Sequence, residues 1–421
     1  MPSYDVIVCG AGTGGLTVAH ALARQGKSVL LVDKADGTAE TFKGEVLQPR
    51  SLGIFERLGL LEAVRAAGAE RIDQLVCAQP SGKRICAMDY RQLPEPHNHC
   101  LTHTYRGLVD TLVDALPPGV DLRRGTRAAG LLRDAKGRIT GVNLVRGSER
   151  FEADAHLVVA ADGYSSKLRT EAGIPVSMIA YEHQVMAFDL VGVGHLPPEA
   201  LTLVTRDGIR LVYPMPHGRG RFYAQIPRGE SNKIGKHGRG AWADAMLRSV
   251  PAMAPVADAV SSGIDESRVL SARRFVARTW ALPGFALVGD AAHAVHPMAG
   301  QGMNAAIADG AFLADALAGI DTLTSAKADA AIREYQRLGL TRMEFVSRFS
   351  HNFATLFTGT TTREWLMARY ILHRHDTNPR LSFKVMYNLS GLGVMRFSRL
   401  DRLQQLGLPD PNARRLPVAS A

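Results

Sequence analysis

The sequence predicts a mixed α/β fold: a nucleotide-binding α/β unit, an inserted and mainly antiparallel β-sheet, and a helical C-terminal region. Three observations carry this. A glycine-rich turn joins an apolar strand to an amphipathic helix near the N-terminus. The middle of the chain is a series of short strand-like runs separated by Gly, Pro and Asp-Gly turns. From about residue 326 onward, apolar residues recur at three- and four-residue spacing.

Composition narrows the class. The chain has 421 residues, 46% of them hydrophobic and 21% charged, which is ordinary for a soluble globular protein. At roughly 100–200 residues per domain, two or three structural units are expected. The opening "MPSYDVIVCG" runs into a strand without a basic segment or a long apolar stretch, so no secretory signal is expected. No run reaches the roughly 18 apolar residues of a spanning helix. Cys9, Cys77, Cys86 and Cys100 form no C-x-x-C pair, which points to a reducing cytoplasm with neither a disulfide framework nor a zinc site. Net charge is +10, and residues 330–421 hold fourteen Arg/Lys against six Asp/Glu, so +8 of it lies there. A solvated helical surface explains that bias; peripheral contact with an anionic membrane is the alternative. Nucleic acid is not expected as a partner, because the basic residues are spread through apolar helices.

The first element is "YDVIVCGAGTGGLTVAHALARQGKSVLLVDK". Tyr4 to Cys9 is a strand, Gly10, Gly12 and Gly15 satisfy G-x-G-x-x-G, and Leu16, Ala19, Leu22 and Ala23 mark a helix that stops at Gly26. Val29 to Val32 is a second strand ending in Asp33, eighteen residues past Gly15. Gly10 permits the tight turn, Gly12 lets backbone approach a pyrophosphate, and Gly15 lets helix and strand lie close. The helix N-terminus, which opens near Thr13, attracts phosphate charge, and Asp33 suits a ribose hydroxyl. Dinucleotide binding follows from this order of parts, although the motif does not separate NAD from FAD.

Two further turns come later. "HLVVAADGYSSKLR" is an apolar strand ending in Asp162-Gly163, with Arg169 beyond it. "ALVGDAAHAVHPMAGQGMNAAIADG" is a strand, a Gly289-Asp290 turn, a non-helical segment held open by Pro297, Gly300 and Gly302, and an apolar helix from Met303-Asn304 onward. Asp290, His293 and His296 stand at three-residue spacing, as metal ligands can. His293 and His296 as ligands would need a third and a fourth partner and the turn offers only Asp290, so no metal is expected and the histidines are read as loop-shaping.

In their order and spacing, the three turns resemble the FAD-dependent aromatic hydroxylases of the para-hydroxybenzoate hydroxylase type, class A flavoprotein monooxygenases that include the ubiquinone-biosynthesis hydroxylases. The resemblance covers roughly residues 4 to 320. It implies a Rossmann-like FAD-binding domain in which Asp290 binds the ribityl chain and Gly300, Gly302, Met303 and Asn304 lie along the flavin's pyrimidine edge. The helix that follows would point its positive end at flavin N1 and C2=O. Asp162 joins the cofactor set by the same resemblance. So does Lys43, where many relatives carry arginine, and so does Arg106, at the start of the helix "THTYRGLVDTLVDAL". The pairs Gly44-Glu45 and Gln48-Pro49 are similar to those of the squalene epoxidases.

Residues 174–274 are expected to form the substrate sheet, joined by strands from 73–98, with the substrate pocket between sheet and flavin domain. The segment "RGRFYAQIP" resembles the family's substrate-side strand, which places Arg221 and Tyr223 at the pocket together with Tyr213 and Met215. The expected division is an FAD-binding domain in three parts (1–72, 99–173 and 275–325), the sheet, and a C-terminal helical region over 326–421. No catalytic side chain is expected, since the cofactor carries the difficult step. The resemblance implies an FAD-dependent, NADH- or NADPH-consuming monooxygenase that hydroxylates an aromatic, phenolic or quinonoid small molecule with O2 through a flavin C4a-hydroperoxide. Epoxidation or reduction of an isoprenoid lipid is the second reading. A binding scaffold that has lost its cofactor is the third. The expected location is cytoplasmic, with membrane association left open.

Overall fold

The computed structural model describes residues 4–42 and 44–417. The chain forms a mixed α/β fold with two eight-stranded sheets and a small three-stranded one.

The first sheet is built around Tyr4–Cys9, which pairs in parallel with Val29–Val32 on one side and Glu149–Ala160 on the other. Val120–Arg123 and Phe285–Leu287 extend it, also in parallel. Val29–Val32 is buried at every position, as expected of a parallel strand covered on both faces. Thr13–Arg24 packs on this sheet beside Gly302–Leu317, and the two helices meet along much of their length. The N-terminal half of Glu149–Ala160 also forms an antiparallel meander with Thr126–Arg133 and Ile139–Arg146.

The second sheet has the strand order 293–294, 268–276, 179–190, 219–227, 208–215, 199–205, 74–78, 84–89. All its pairings are antiparallel except Gln74–Ala78 with Glu199–Thr205. Arg206 and Asp207 form the two-residue turn between 199–205 and 208–215, with Thr205 and Gly208 as partners. Side chains alternate between its faces. One face, through Phe188, Leu203, Val212 and Phe222, is buried against helices in 239–263. Sequence periodicity anticipated only strands over 174–274. Those helices are short and rich in alanine, glycine and serine, so their apolar stripe is weak.

The opposite face, with Cys77, Thr202, Leu211 and Tyr223 as neighbours across four strands, looks toward the glycine turns. The long helix Ser325–Thr358 and the helices Thr362–Asp376 and Pro379–Ser390 cap the space between. Among the described residues, no helix is long and apolar enough to cross a membrane.

Candidate functional site: a shared cavity beneath three glycine turns

The three glycine turns meet. A Cβ on Gly10, whose φ is +116°, would overlap the Ala161 carbonyl oxygen beside Asp162. A Cβ on Gly15 would overlap the Gly10 carbonyl. These two positions exclude side chains because the first turn, its helix and the Asp162 strand share one close contact. Gly14 faces Val288 and Ala306 of the third turn at 3.1–3.3 Å from where its Cβ would lie. Arg169 ties the second turn to the third: it is buried, donates from Nη1 to the Ala291 carbonyl at 2.8 Å, and lies 5.1 Å over the Phe275 ring.

Below the turns lies a cavity of about 1030 Å³, above the roughly 300–1,000 Å³ typical of a pocket for one drug-sized ligand. Gly10, Gly12, Thr13, Gly15, Asp33, Asp162, Asp290, Gly300, Gly302 and Met303 all line it. Asp33 accepts the backbone N–H groups of Ala11 at 2.7 Å and Ala35 at 2.8 Å, so it also braces the first turn. Tyr105 also lines the cavity; burial raises its hydroxyl pKa to about 12, with help from the charges of Asp290 and Asp33.

Two expected residues sit elsewhere. Arg106 is more than half exposed, 3.5 Å from Asp110, and is not among the lining residues; the helix directs Tyr105 inward and Arg106 away. Asn304 lies behind the lining, with both ends of its amide engaged by protein. Its Oδ1 accepts Gln48 N–H at 2.9 Å and Ser51 Oγ–H at 2.7 Å, while Nδ2 donates to the carbonyls of Val46 and Gly300. It therefore fixes the loop entering the helix. Lys43 lies outside the described residues.

The histidines separate by role. His293 Nε2 is 2.6 Å from Asp309 Oδ2, both side chains being fully buried, and Arg342 is 2.9 Å from the other oxygen. Asp309 also accepts the Gly289 N–H at 3.1 Å, so this cluster clamps the third turn to its helix. His296 lines the cavity. Its Nδ1 accepts the Met298 N–H at 3.1 Å, so the neutral ring carries its proton on Nε2 and donates to His183 Nε2 at 2.8 Å. Burial, then the neighbouring His183 and His351, push His296 down to about 3. Among the described residues, no group of three or more His, Cys, Asp or Glu is placed to hold a metal ion.

The sheet half of the cavity is apolar, with Ile72, Leu75, Met88, Ile209, Leu211, Phe353, Phe357 and Leu389 facing it. Tyr213 and Tyr223 line it as expected; Met215 and Arg221 do not. Met215 is packed into the core. Arg221 lies on the same sheet face as Tyr213 and Tyr223 but is buried, 2.7 Å from Glu45 and 3.1 Å from Asp189. Sequence reasoning named Glu45 only through the likeness of its Gly44-Glu45 pair to the squalene epoxidases, and it missed Tyr105. A lone acid ahead of the apolar pair Val46-Leu47 and an aromatic directly after the N-cap Thr104 were the available signals.

The cavity fits a dinucleotide. Gly12 leaves room where a side chain would intrude, its nearest neighbour being Tyr105 Oη at 3.5 Å. Asp162 accepts the Lys167 N–H at 2.9 Å through Oδ2 but keeps a buried Oδ1 without a partner. The helix at Gly302 starts with no side-chain cap on its amides, which leaves its positive end available.

Comparison with known proteins agrees with this geometry. The model of the family described as "FAD binding domain" matches residues 3–350. The chain is 30% identical over 318 residues to the 6-methylpretetramide 4-monooxygenase of Streptomyces rimosus, covering 72% of this chain and 73% of the relative. It is 25% identical over 340 residues to mitochondrial squalene epoxidase 2 of Arabidopsis thaliana, covering 77% of this chain but only 55% of that protein. The crystal structure of pqsL, a probable FAD-dependent monooxygenase from Pseudomonas aeruginosa, superposes with a TM-score of 0.76 at 24% identity, over 87% of this chain and 99% of the other. With its glycine turns converging on one large cavity and this family model spanning most of its length, the chain belongs to the FAD-binding-domain family of class A flavoprotein hydroxylases, and FAD is its cofactor.

Proposed function

We propose that this enzyme consumes NADH or NADPH and O2 to hydroxylate an aromatic, phenolic or quinonoid small molecule. One observation carries the reading: glycine turns suited to a dinucleotide and an apolar, tyrosine-bearing sheet wall line one continuous cavity. In this reading, 1–72, 99–173 and 275–325 hold the cofactor, 73–98 and 174–274 form the substrate wall, and 326–421 close it.

Gly10, Gly12, Thr13 and Gly15 hold the pyrophosphate, with Asp33 at the ribose. Asp290 holds the ribityl chain, and the Gly300–Met303 amides face the pyrimidine edge. Bound FAD, once reduced, supplies the chemistry that activates O2. The protein then has three tasks. The uncapped helix at Gly302 offsets negative charge on the ring. Phe353, Phe357 and Leu389 exclude water. Tyr213 and Tyr223 orient the substrate. The squalene epoxidase likeness and the apolar lining also suit an isoprenoid, but the polar group at Glu45 favours a ring bearing a hydroxyl or amine.

Asp290→Ala tests the cofactor assignment. The variant is expected to fold and to lose FAD on desalting far faster than the parent; equal flavin occupancy would remove Asp290 from the site. Screening phenols, quinolones and isoprenoid quinols for stimulated NAD(P)H oxidation, with product mass recorded, tests the reaction. A yellow protein that consumes no O2 with any aromatic would overturn it.

A further inference from the structure

Glu45 organises the substrate wall. Its side chain is 1% exposed. Oε2 accepts the hydroxyl protons of Tyr213 at 2.9 Å and Tyr223 at 2.8 Å, and Oε1 is 2.7 Å from Arg221 Nη2. Arg221 is shared with Asp189 at 3.1 Å and lies 3.9 Å over the Phe42 ring. The two tyrosines supply the hydrogen bonds to Oε2, while Oε1 is held by the Arg221 charge without a directed hydrogen bond.

The consequence for a ligand follows from direction. Both tyrosine hydroxyls donate to Glu45 Oε2, with the Phe42 carbonyl a second, longer acceptor for Tyr223 at 3.4 Å, so the hydroxyl oxygens present lone pairs to the cavity. The guanidinium that could balance a ligand anion is buried and already shared by two carboxylates. The lysines and arginines among the described lining residues are Lys34, Arg127, Lys167 and Arg273, all exposed. None of the described lining residues on strands 74–78, 84–89, 199–205, 208–215 or 219–227 is Lys or Arg. Among the described residues of these strands, a carboxylate would find no cationic donor, and it would face Glu45 in a poorly screened space.

Resting on the hydroxylase reading above, we propose that Glu45 is a specificity-determining residue: it sets the wall to accept an O–H or N–H from a neutral ring and to refuse a carboxylate. Arg221 is a positioning residue that acts through Glu45. The preferred substrates are thus neutral phenols, anilines or hydroxylated polycycles rather than benzoate-type acids.

The test is calorimetric binding to the FAD-loaded full-length protein, with three probes on one ring: 2-naphthol, 2-methoxynaphthalene and 2-naphthoate. The parent is expected to bind 2-naphthol at least about tenfold more tightly than either of the others, because a wall already paired rejects what cannot complete it. Glu45→Gln leaves Arg221 less compensated and should bring 2-naphthoate level with 2-naphthol or ahead of it. The double variant Tyr213→Phe, Tyr223→Phe keeps the acid, so it should lose the preference over 2-methoxynaphthalene while still refusing 2-naphthoate. It also serves if Glu45→Gln fails to load FAD. Equal binding of 2-naphthoate and 2-naphthol by the parent, or no binding of any probe, overturns the proposal. Should the expected ratios appear while no aromatic stimulates NAD(P)H oxidation, the specificity stands and the hydroxylase reading falls. Should aromatics be oxygenated whatever their charge, the hydroxylase reading stands and the specificity falls.

Discussion

Replacing Asp309 by Asn should be among the most damaging single-atom changes available in this chain. The carboxylate is fully buried and receives His293 at 2.6 Å, Arg342 at 2.9 Å and the Gly289 amide at 3.1 Å. Burial raises its pKa, and His293, Arg342 and the Gly289 amide more than reverse that, so it stays ionised below the usual carboxylate range. Asparagine has the same outline but only one acceptor oxygen, so at least one buried donor is left opposing an amide N–H. Breaking a buried charge cluster by removing one member costs about 3–5 kcal/mol. Unfolding entropy of about 2.1 cal/mol/K per residue over 421 residues amounts to about 0.9 kcal/mol/K, so the midpoint should fall by about 3–6 °C. Thermal denaturation followed by near-UV circular dichroism measures it, with Arg342→Ala and the double variant closing a cycle. The second substitution should cost clearly less in the Asp309→Asn background than alone. A shift below about 1 °C, or strictly additive losses, would refute the account of this cluster as one clamp.

Other outcomes follow from the same geometry. Gly12→Ala should fold normally yet bind FAD more weakly, since its methyl points into open cavity. Gly15→Ala should lower the melting midpoint as well, because its methyl overlaps the Gly10 carbonyl. Equal melting of the two variants would contradict this. Acid should also destabilise the protein through its buried histidines. Burial pushes His103 and His375 down to about 4, and burial with His183 and His351 takes His296 to about 3. Each takes up its proton near pH 6.5 only when unfolded, so stability is lost as pH falls below that value. From pH 7 to 5.5 the loss is about 1.3 kcal/mol per histidine, or about 4 kcal/mol for three. A midpoint unchanged over that interval would contradict it.

Much of the frame was legible because backbone demands write themselves into residue type. Gly10 and Gly15 stand where no side chain fits, so the G-x-G-x-x-G reading and its strand–helix–strand surroundings emerged within a residue or two. The strands of 179–227 were legible through the Gly, Pro and Asp-Gly turns that separate strand-like runs, and their two faces became core and cavity. Side-chain direction was less accessible. Arg106 and Tyr105 are adjacent in sequence, and only the helix phase decides which faces inward. Arg221 shares the sheet face of Tyr213, its cross-strand partner, and of Tyr223, but its guanidinium is buried against Glu45 and Asp189 instead of lining the cavity. Asn304 was placed at the flavin by resemblance, whereas its amide completes four hydrogen bonds within the protein. Pairings of this kind join residues far apart in the chain, as Glu45 and Tyr223 are, and no local pattern encodes them.

The row Cys77, Thr202, Leu211 and Tyr223 crosses four strands whose alternate residues face the helices of 239–263. Because successive side chains leave a strand on opposite sides, the face that in the proposed reading meets the substrate and the face that packs on the helices are written on different letters of the same segments. A lineage carrying this sheet can therefore redraw the outline of its chosen molecule, one inward letter at a time, without disturbing the packing that supports it.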